Sequence, residues 1–271
     1  MPATAQADIA ALLAPQLANG QVVFLPPGTF GSVLFAKAVH EAGNRAAVAY
    51  AETGTLPWLT RKHGAFETAI TVRAKRLPTG VFPLTHKEHA LALLRVVFPG
   101  VIEDCGDALS AALMNAGALQ HFERWDIHKE GTQPAIRRVT DALDQERIAV
   151  REALGYGPPH FPLADHYAAE GEEWMYGRRS HDRLTDSGDW REHIVLTTHR
   201  YMVEDTRFGL SFLISVASLV GVATPLALAF LSIGSAICEG NFLTSGRTLG
   251  SLGLGHLDRR ALTELLRVGF A

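Results

Sequence analysis

Cysteine is scarce: Cys105 and Cys238 are the only two in 271 residues. Two are too few for a disulfide framework, which favours a reducing, cytoplasmic setting over secretion. An excess of positive charge is also missing. Lys and Arg number 25 against 28 Asp and Glu, a formal net charge of −3, and this removes the electrostatic footprint of a nucleic-acid binder. The opening residues lack a basic stretch followed by an apolar core, so they do not read as a signal peptide. Low-complexity and disorder-prone stretches are absent too, and 47% hydrophobic residues suffice for a large core in one or two domains. The most informative absence is a motif. A dinucleotide-binding α/β domain opens with a strand running into G-x-G-x-x-G at a helix start, where backbone amides meet the pyrophosphate. No such fingerprint occurs here.

What is present has an α/β grammar at first. Apolar positions at helical spacing over 7–18 stop at Asn19-Gly20, and VVFLP (22–26) reads as a buried strand. A helix over 31–42 and a second strand over 46–52 follow, the alternation of a parallel sheet. Residues 69–84 hold two further strand candidates about a Pro-Thr-Gly turn. From the helix at 86–98 onward strand signals become rare, and 108–155 and 194–268 are mostly helical by period. Between them, residues 155–190 are rich in aromatics, His, Gly and Pro; a lid, an interface arm and a surface excursion without a role all stay open. Phe208 to Cys238 carries no charge, but Gly221 and Pro225 divide it. Two packed helices fit that division better than a membrane hairpin, and such apolar helices require a partner surface, a large core or a subunit interface.

Three stretches in this order resemble the opine (octopine/nopaline) dehydrogenase family: VVFLPPGTFGS with AETGTLPWLTRKHG, the segment 115–155 from NAGALQHF to REALG, and HRYMVEDTRFGLSFL continuing to GRTLGSLGLG. The resemblance implies a fold of the α/β plus all-α class. A partial Rossmann-like parallel sheet over 1–100, lacking its N-terminal half, precedes an α-helical substrate and dimerisation domain over 101–271. It implies an oxidoreductase that couples an amino acid to a 2-oxo acid with hydride from NAD(P)H, and a homodimer formed through the apolar helices of 206–238. A non-catalytic dimerising protein derived from the family is the alternative. No nucleic acid and no membrane are expected as partners.

That chemistry asks for cationic partners to the substrate carboxylates, best supplied by Arg, and for an acid/base group, typically a His oriented by a carboxylate. By the resemblance, Arg200 holds a substrate carboxylate, Asp205 orients and balances the catalytic His, and Tyr201 and Asn115 line the cleft. Tyr201 and Asp205 are i,i+4 neighbours on a helix, and Asp205 stands just before the apolar run, where a carboxylate is partly desolvated; surface ion pairs are the plainer reading. Thr53 and Thr55 follow a strand's C-terminal end, where α/β sheets bind ligands, although turn chemistry explains them equally well. Gly28 and Thr29 ahead of a helix, with Glu52, are the cofactor-side candidates, for NAD or NADP.

Two departures stand against the family pattern. The acid/base His belongs a few residues before Asn115, yet residues 99–114 contain no His, and no other His is promoted in its place. A strand at 22–26 without the preceding βαβ units is expected to leave an unpaired edge. A fragment, a decayed enzyme and a chain completed by another polypeptide are the three readings, and activity of these residues alone is expected to be impaired. His86 with His89, and His160 with His166, lack the Cys or carboxylate spacing of a metal site.

Overall fold

The computed structural model describes residues 2–115, 125–126, 132–168, 174–178, 180–192 and 194–270. A 3₁₀ turn (Ala3–Ala5) leads into α1 (Gln6–Leu13); β1 (Val22–Leu25), α2 (Gly31–Glu41) and β2 (Ala49–Thr53) follow. β1 and β2 run parallel, with Val22 opposite Ala49 and Leu25 opposite Glu52. Leu25, the last residue of β1, is thus level with Glu52, one residue before the end of β2.

The chain then leaves the sheet. β3 (Trp58–Lys62) and β4 (Thr68–Arg73) pair with each other as an antiparallel hairpin, and β5 (Leu77–Phe82) returns antiparallel to β2, with Thr53 opposite Thr79. The four-stranded sheet is therefore mixed, in the order β1-β2-β5-β6, with β6 (Ile102–Asp107) parallel to β5. Direction reverses because a hairpin, not a crossover helix, joins β2 to β5. The expected Pro-Thr-Gly turn lies inside β5, as Pro78, Thr79 and Gly80. Gly80 is there because the Asp107 carbonyl occupies the place a Cβ would take, at the point where the β5–β6 register shifts. β6 carried no strand signal: its sequence, IEDCGD, is too polar to show alternation. The expected domain limit at residue 100 falls just before this strand.

Side chains alternate across the sheet. Leu25, Tyr50 and Phe82 face one core together with Val33, Phe35 and Val39 of α2. Ala49, Ala51, Leu77 and Val81 face a second core with Leu91 and Leu94 of α3 (Lys87–Val97). The first core is shared with the helices. α4 (Ala108–Ala112) starts on an Asp107 cap, and a 3₁₀ turn (Leu113–Asn115) ends it. The long α5 (Pro134–Leu154) has Pro134 at its first turn and Gly155 left-handed at its end, the expected asymmetry of helix ends.

Residues 155–190 are not a bare loop. They contain α6 (Leu163–Tyr167) and α7 (Ser180–Ser187), and Tyr176, Leu184 and Trp190 belong to the second core. Short strands β7 (Trp125–Asp126) and β8 (Arg191–Glu192) pair with each other. A π-helix (Tyr201–Leu210) runs directly into α8 (Ser211–Val220); α9 (Pro225–Ile237), α10 (Phe242–Ser245) and α11 (Arg259–Val268) complete the chain. The apolar run is two helices broken at left-handed Gly221, as its Gly and Pro predict. Among the described residues no helix is long and apolar enough to cross a membrane.

Gly80→Ala drives a Cβ into the β6 backbone. Its expected cost is about 1–3 kcal/mol, read as a lowered urea midpoint; an unchanged midpoint contradicts the close approach.

Candidate functional site

The C-terminal ends of β1 and β2 carry the loop that starts α2. Thr29 and Phe30 both have positive φ, 51° and 60°, strained for side-chain-bearing residues and held only where the surroundings over-determine them. Here the determinants are visible. The Glu52 carboxylate, from the end of β2, accepts the Phe30 amide at 2.9 Å and the Ser32 amide at 2.6 Å. Arg247 donates to the carbonyls of Gly28 and Thr29 at 3.1 and 2.7 Å, and to Gln6 Oε1 at 2.8 Å. Glu52 is wholly buried and Arg247 nearly so. Burial raises the Glu52 carboxyl, while the Ser32 and Phe30 hydrogen bonds and the Arg247 charge pull it back. Burial lowers Arg247 to about 10, and Glu52 opposes the change.

Gly28, Thr29 and Glu52 are thus brought together as a closed knot. The amides at the start of α2, the natural place for an anion, are taken by Glu52. A Cβ on Gly28 would strike the Glu52 side chain. This helix start does not fit the phosphates of a dinucleotide.

Thr53 and Thr55 also lie inside. Thr53 Oγ1 donates to the Thr55 carbonyl at 2.6 Å, and the Thr55 hydroxyl is bonded to the Tyr176 hydroxyl. Met114 and Pro78 close over Gly54, where an added Cβ would come to 2.9 Å from the Met114 sulfur. Tyr176, from the 155–190 segment, seals this loop, and no sequence signal pointed to it. Arg247 was likewise unassigned, although a single Arg between apolar residues in GRTLG is a visible mark. Asn115 ends the 3₁₀ turn, but its side chain, with Ala116, Gly117, His121 and Gly131, lies outside the described residues.

Helix geometry brings Arg200 within electrostatic reach of Asp205, with no hydrogen bond or ion pair between them among the described residues. Residues five apart point about 140° apart on an α-helix. The chain here is a π-helix (Tyr201–Leu210) that begins after Arg200. Its i→i+5 pattern sets such residues one above the other; Thr206 Oγ1 reaches the Tyr201 carbonyl at 3.0 Å, the same five-residue step. Arg200 is exposed and Asp205 largely withdrawn from solvent. Burial pushes the Asp205 carboxyl up to about 7, against the lowering effect of the Arg200 charge and with the added repulsion of Glu204. Glu204 in turn accepts the Ala3 amide at 3.2 Å, which ties the π-helix to the chain start. The Tyr201 ring packs against that of His199 at a tilt of 42°, ring centres 4.6 Å apart. A flexible cation beside a carboxyl that titrates near neutrality can bind an anionic substrate and hold or release a proton.

Residues 109–238 match the alpha-helical domain of the NAD/NADP octopine/nopaline dehydrogenases. Through this stretch the chain is similar to the opine dehydrogenases. An opine dehydrogenase from Arthrobacter sp. (strain 1C) is 26% identical over 277 residues, covering 95% of this chain and 74% of the relative. Protein ocs of Agrobacterium vitis is 24% identical over 241 residues, covering 82% of this chain and 64% of that protein. In fold the chain is similar to an octopine dehydrogenase solved with NADH and agmatine (TM-score 0.69, 15% identity, 97% of this chain and 76% of the other). It is also similar to an NADP+-bound yersinopine dehydrogenase (TM-score 0.58, 14% identity, 97% and 73%). The protein is an opine dehydrogenase-like oxidoreductase with the family's α-helical domain.

A carboxyl held above its unfolded value of about 3.9 costs stability as pH rises through that value. The wild type is therefore expected to lose stability relative to Asp205→Asn between about pH 4 and about pH 7, on the order of 2 kcal/mol. Urea unfolding of both chains across that range checks it; a difference independent of pH contradicts the buried, titrating Asp205.

Proposed function

We propose that these residues carry the substrate side of an NAD(P)H-dependent reductive condensation, in which the amine of an amino acid is joined to the carbonyl carbon of a 2-oxo acid. The observation that carries this reading is the π-helix, which gathers Arg200 and Asp205 on one face. Arg200 takes the carboxylate of a substrate through its planar fork. Asp205, neutral or charged near pH 7, balances the charge of Arg200 and holds a proton at its carboxyl within the same site. Tyr201, Asn115, Thr53 and Thr55 are assigned to the walls of the cleft, the two threonines acting through the shape of their loop since their hydroxyls face protein partners.

In the family's reaction NADH or NADPH supplies the hydride. The present residues fit the substrates and not the dinucleotide phosphates: the Gly-rich fingerprint is missing from the sequence, and Glu52 occupies the start of α2. The unit over 1–100 is taken as the cofactor-side part and 101–271 as the substrate and dimer part, in a cytoplasmic setting. NADH consumption with pyruvate and mixed amino acids is expected to stay near background for this chain alone. Turnover lowered at least about tenfold by Arg200→Met would support the role of Arg200 but contradict the expected impairment, and robust turnover indifferent to that change would overturn the site.

One observation favours a second, compatible role as a dimerising module. α9 buries Ala227, Leu231 and Gly234 but exposes Leu228 (44%) and Ile233 (49%) on its other face, with Ala229, Ser232 and Ala236 alongside. A second copy covering this uncharged stripe accounts for it. Ile233→Glu is expected to halve the mass seen by light scattering at about 10 μM chain; a wild type that is already monomeric there contradicts the dimer.

A further inference from the structure

The closed knot at Glu52 leaves another part of the molecule more open to a ligand. A cavity of about 230 Å³ lies where β5, β6, α4 and the end of α5 meet, lined among others by Pro78, Cys105, Met114, Arg151, Tyr156 and Phe161. Its volume is below the roughly 300–1,000 Å³ of drug-sized sites, so it suits a molecule of a few heavy atoms.

Arg151 gives the cavity its chemistry. The residue is 2% exposed, and a guanidinium has five N–H donors. Nε donates to His160 Nδ1 at 3.3 Å, and Nη1 donates to the Ser110 carbonyl and hydroxyl at 2.5 and 3.1 Å. Among the described residues these bonds leave the Nη2 donors without a hydrogen-bond partner, and no carboxylate forms an ion pair with Arg151.

The acids nearby are committed elsewhere. Arg76 holds Glu103 through two contacts of 2.6 and 3.0 Å, and Lys87 holds Asp104 at 2.6 Å. Asp144 pairs with Arg147 at 2.6 Å. Asp107 accepts the Tyr156 hydroxyl at 2.6 Å and the Ser110 amide at 3.0 Å, and it reaches Arg151 only as a more distant charge. A buried cation with open donors, in a cavity whose wall is partly apolar at Pro78, Met114 and Phe161, is complementary to an anion with a short carbon chain. The Glu103 and Asp104 carboxylates, which line the same cavity, oppose a second negative charge on the ligand.

We propose that this cavity binds a small monocarboxylate, its carboxylate on Nη2 of Arg151 and its carbon chain against Met114, Phe161 and Pro78. This site involves neither Arg200 nor Asp205, and it stands or falls apart from the reading of the π-helix.

The test uses the full chain and its two thiols, both free. Cys105 lines the cavity, whereas Cys238 at the end of α9 does not, which makes it an internal control. Labelling by methyl methanethiosulfonate at about pH 9, where a buried thiol still reacts slowly, is followed by mass spectrometry. With propionate at about 50 mM, Cys105 labelling is expected to slow about fivefold while Cys238 labelling is unchanged. Propanol, sodium chloride and succinate at the same concentration are expected to leave Cys105 unprotected. Arg151→Gln is expected to lose the protection and Arg151→Lys to keep part of it. If the Gln variant fails to fold, the wild-type series decides alone. No protection by propionate, or equal protection by propanol, sodium chloride or succinate, overturns the proposal.

Discussion

Two opposite charges buried on either side of one loop hold this protein's architecture together. Glu52 grips the amides of Phe30 and Ser32 from the strand side, and Arg247 grips the carbonyls of Gly28 and Thr29 from the far end of the chain. Between them they force Thr29 and Phe30 into a left-handed conformation that neither residue favours. The result aims α2 across the sheet and seats Phe30 on Phe212 of α8, ring centres 5.0 Å apart. The α/β part and the helical part therefore share a core because one loop is pinned from both sides.

The π-helix shows the same economy at the candidate site. An α-helix over 200–205 would turn Arg200 and Asp205 away from each other. The wider turn leaves the Arg200 charge within electrostatic reach of Asp205, and desolvation brings the Asp205 carboxyl to the neutral range while Arg200 keeps its contact with water. Met202 and Thr206 press against Gly234 of α9, where an added Cβ would come to 2.9–3.0 Å from both. The backbone geometry that aligns the site is thus supported by a small residue on the neighbouring helix.

How much of this was legible in the sequence depends on whether the cause was local. The early strands and helices announced themselves through apolar periodicity and Gly or Asn stops, and the break at Gly221 and Pro225 did the same for α8 and α9. The resemblance to the opine dehydrogenases rested on motifs spread along the chain and reached the family. β6 was hidden because its ordering comes from β5 beside it and from Gly80, not from alternation in Ile102–Asp107. The antiparallel return of β5 was hidden because a hairpin replaced the crossover helix. At the site, Arg200 and Asp205 were named from the resemblance, but their alignment was not readable, since i,i+4 spacing pointed to Tyr201 and Asp205 instead. Glu52 reads as a cofactor-side residue, and only its long-range contacts reveal a carboxylate turned inward. Arg247 and Tyr176 act across 219 and 121 residues respectively, beyond any local pattern.

The pinning of the 28–32 loop has an implication for biosynthesis. Arg247 bonds to Gln6, 241 positions earlier, so the first strand–helix unit cannot reach its final shape while the ribosome is still short of that codon. Long-range contacts of this kind form late and leave partly ordered chains exposed in the meantime. A nascent polypeptide halted before residue 247 would lack the Arg247 bonds to Gln6, Gly28 and Thr29 and the counter-charge of Glu52.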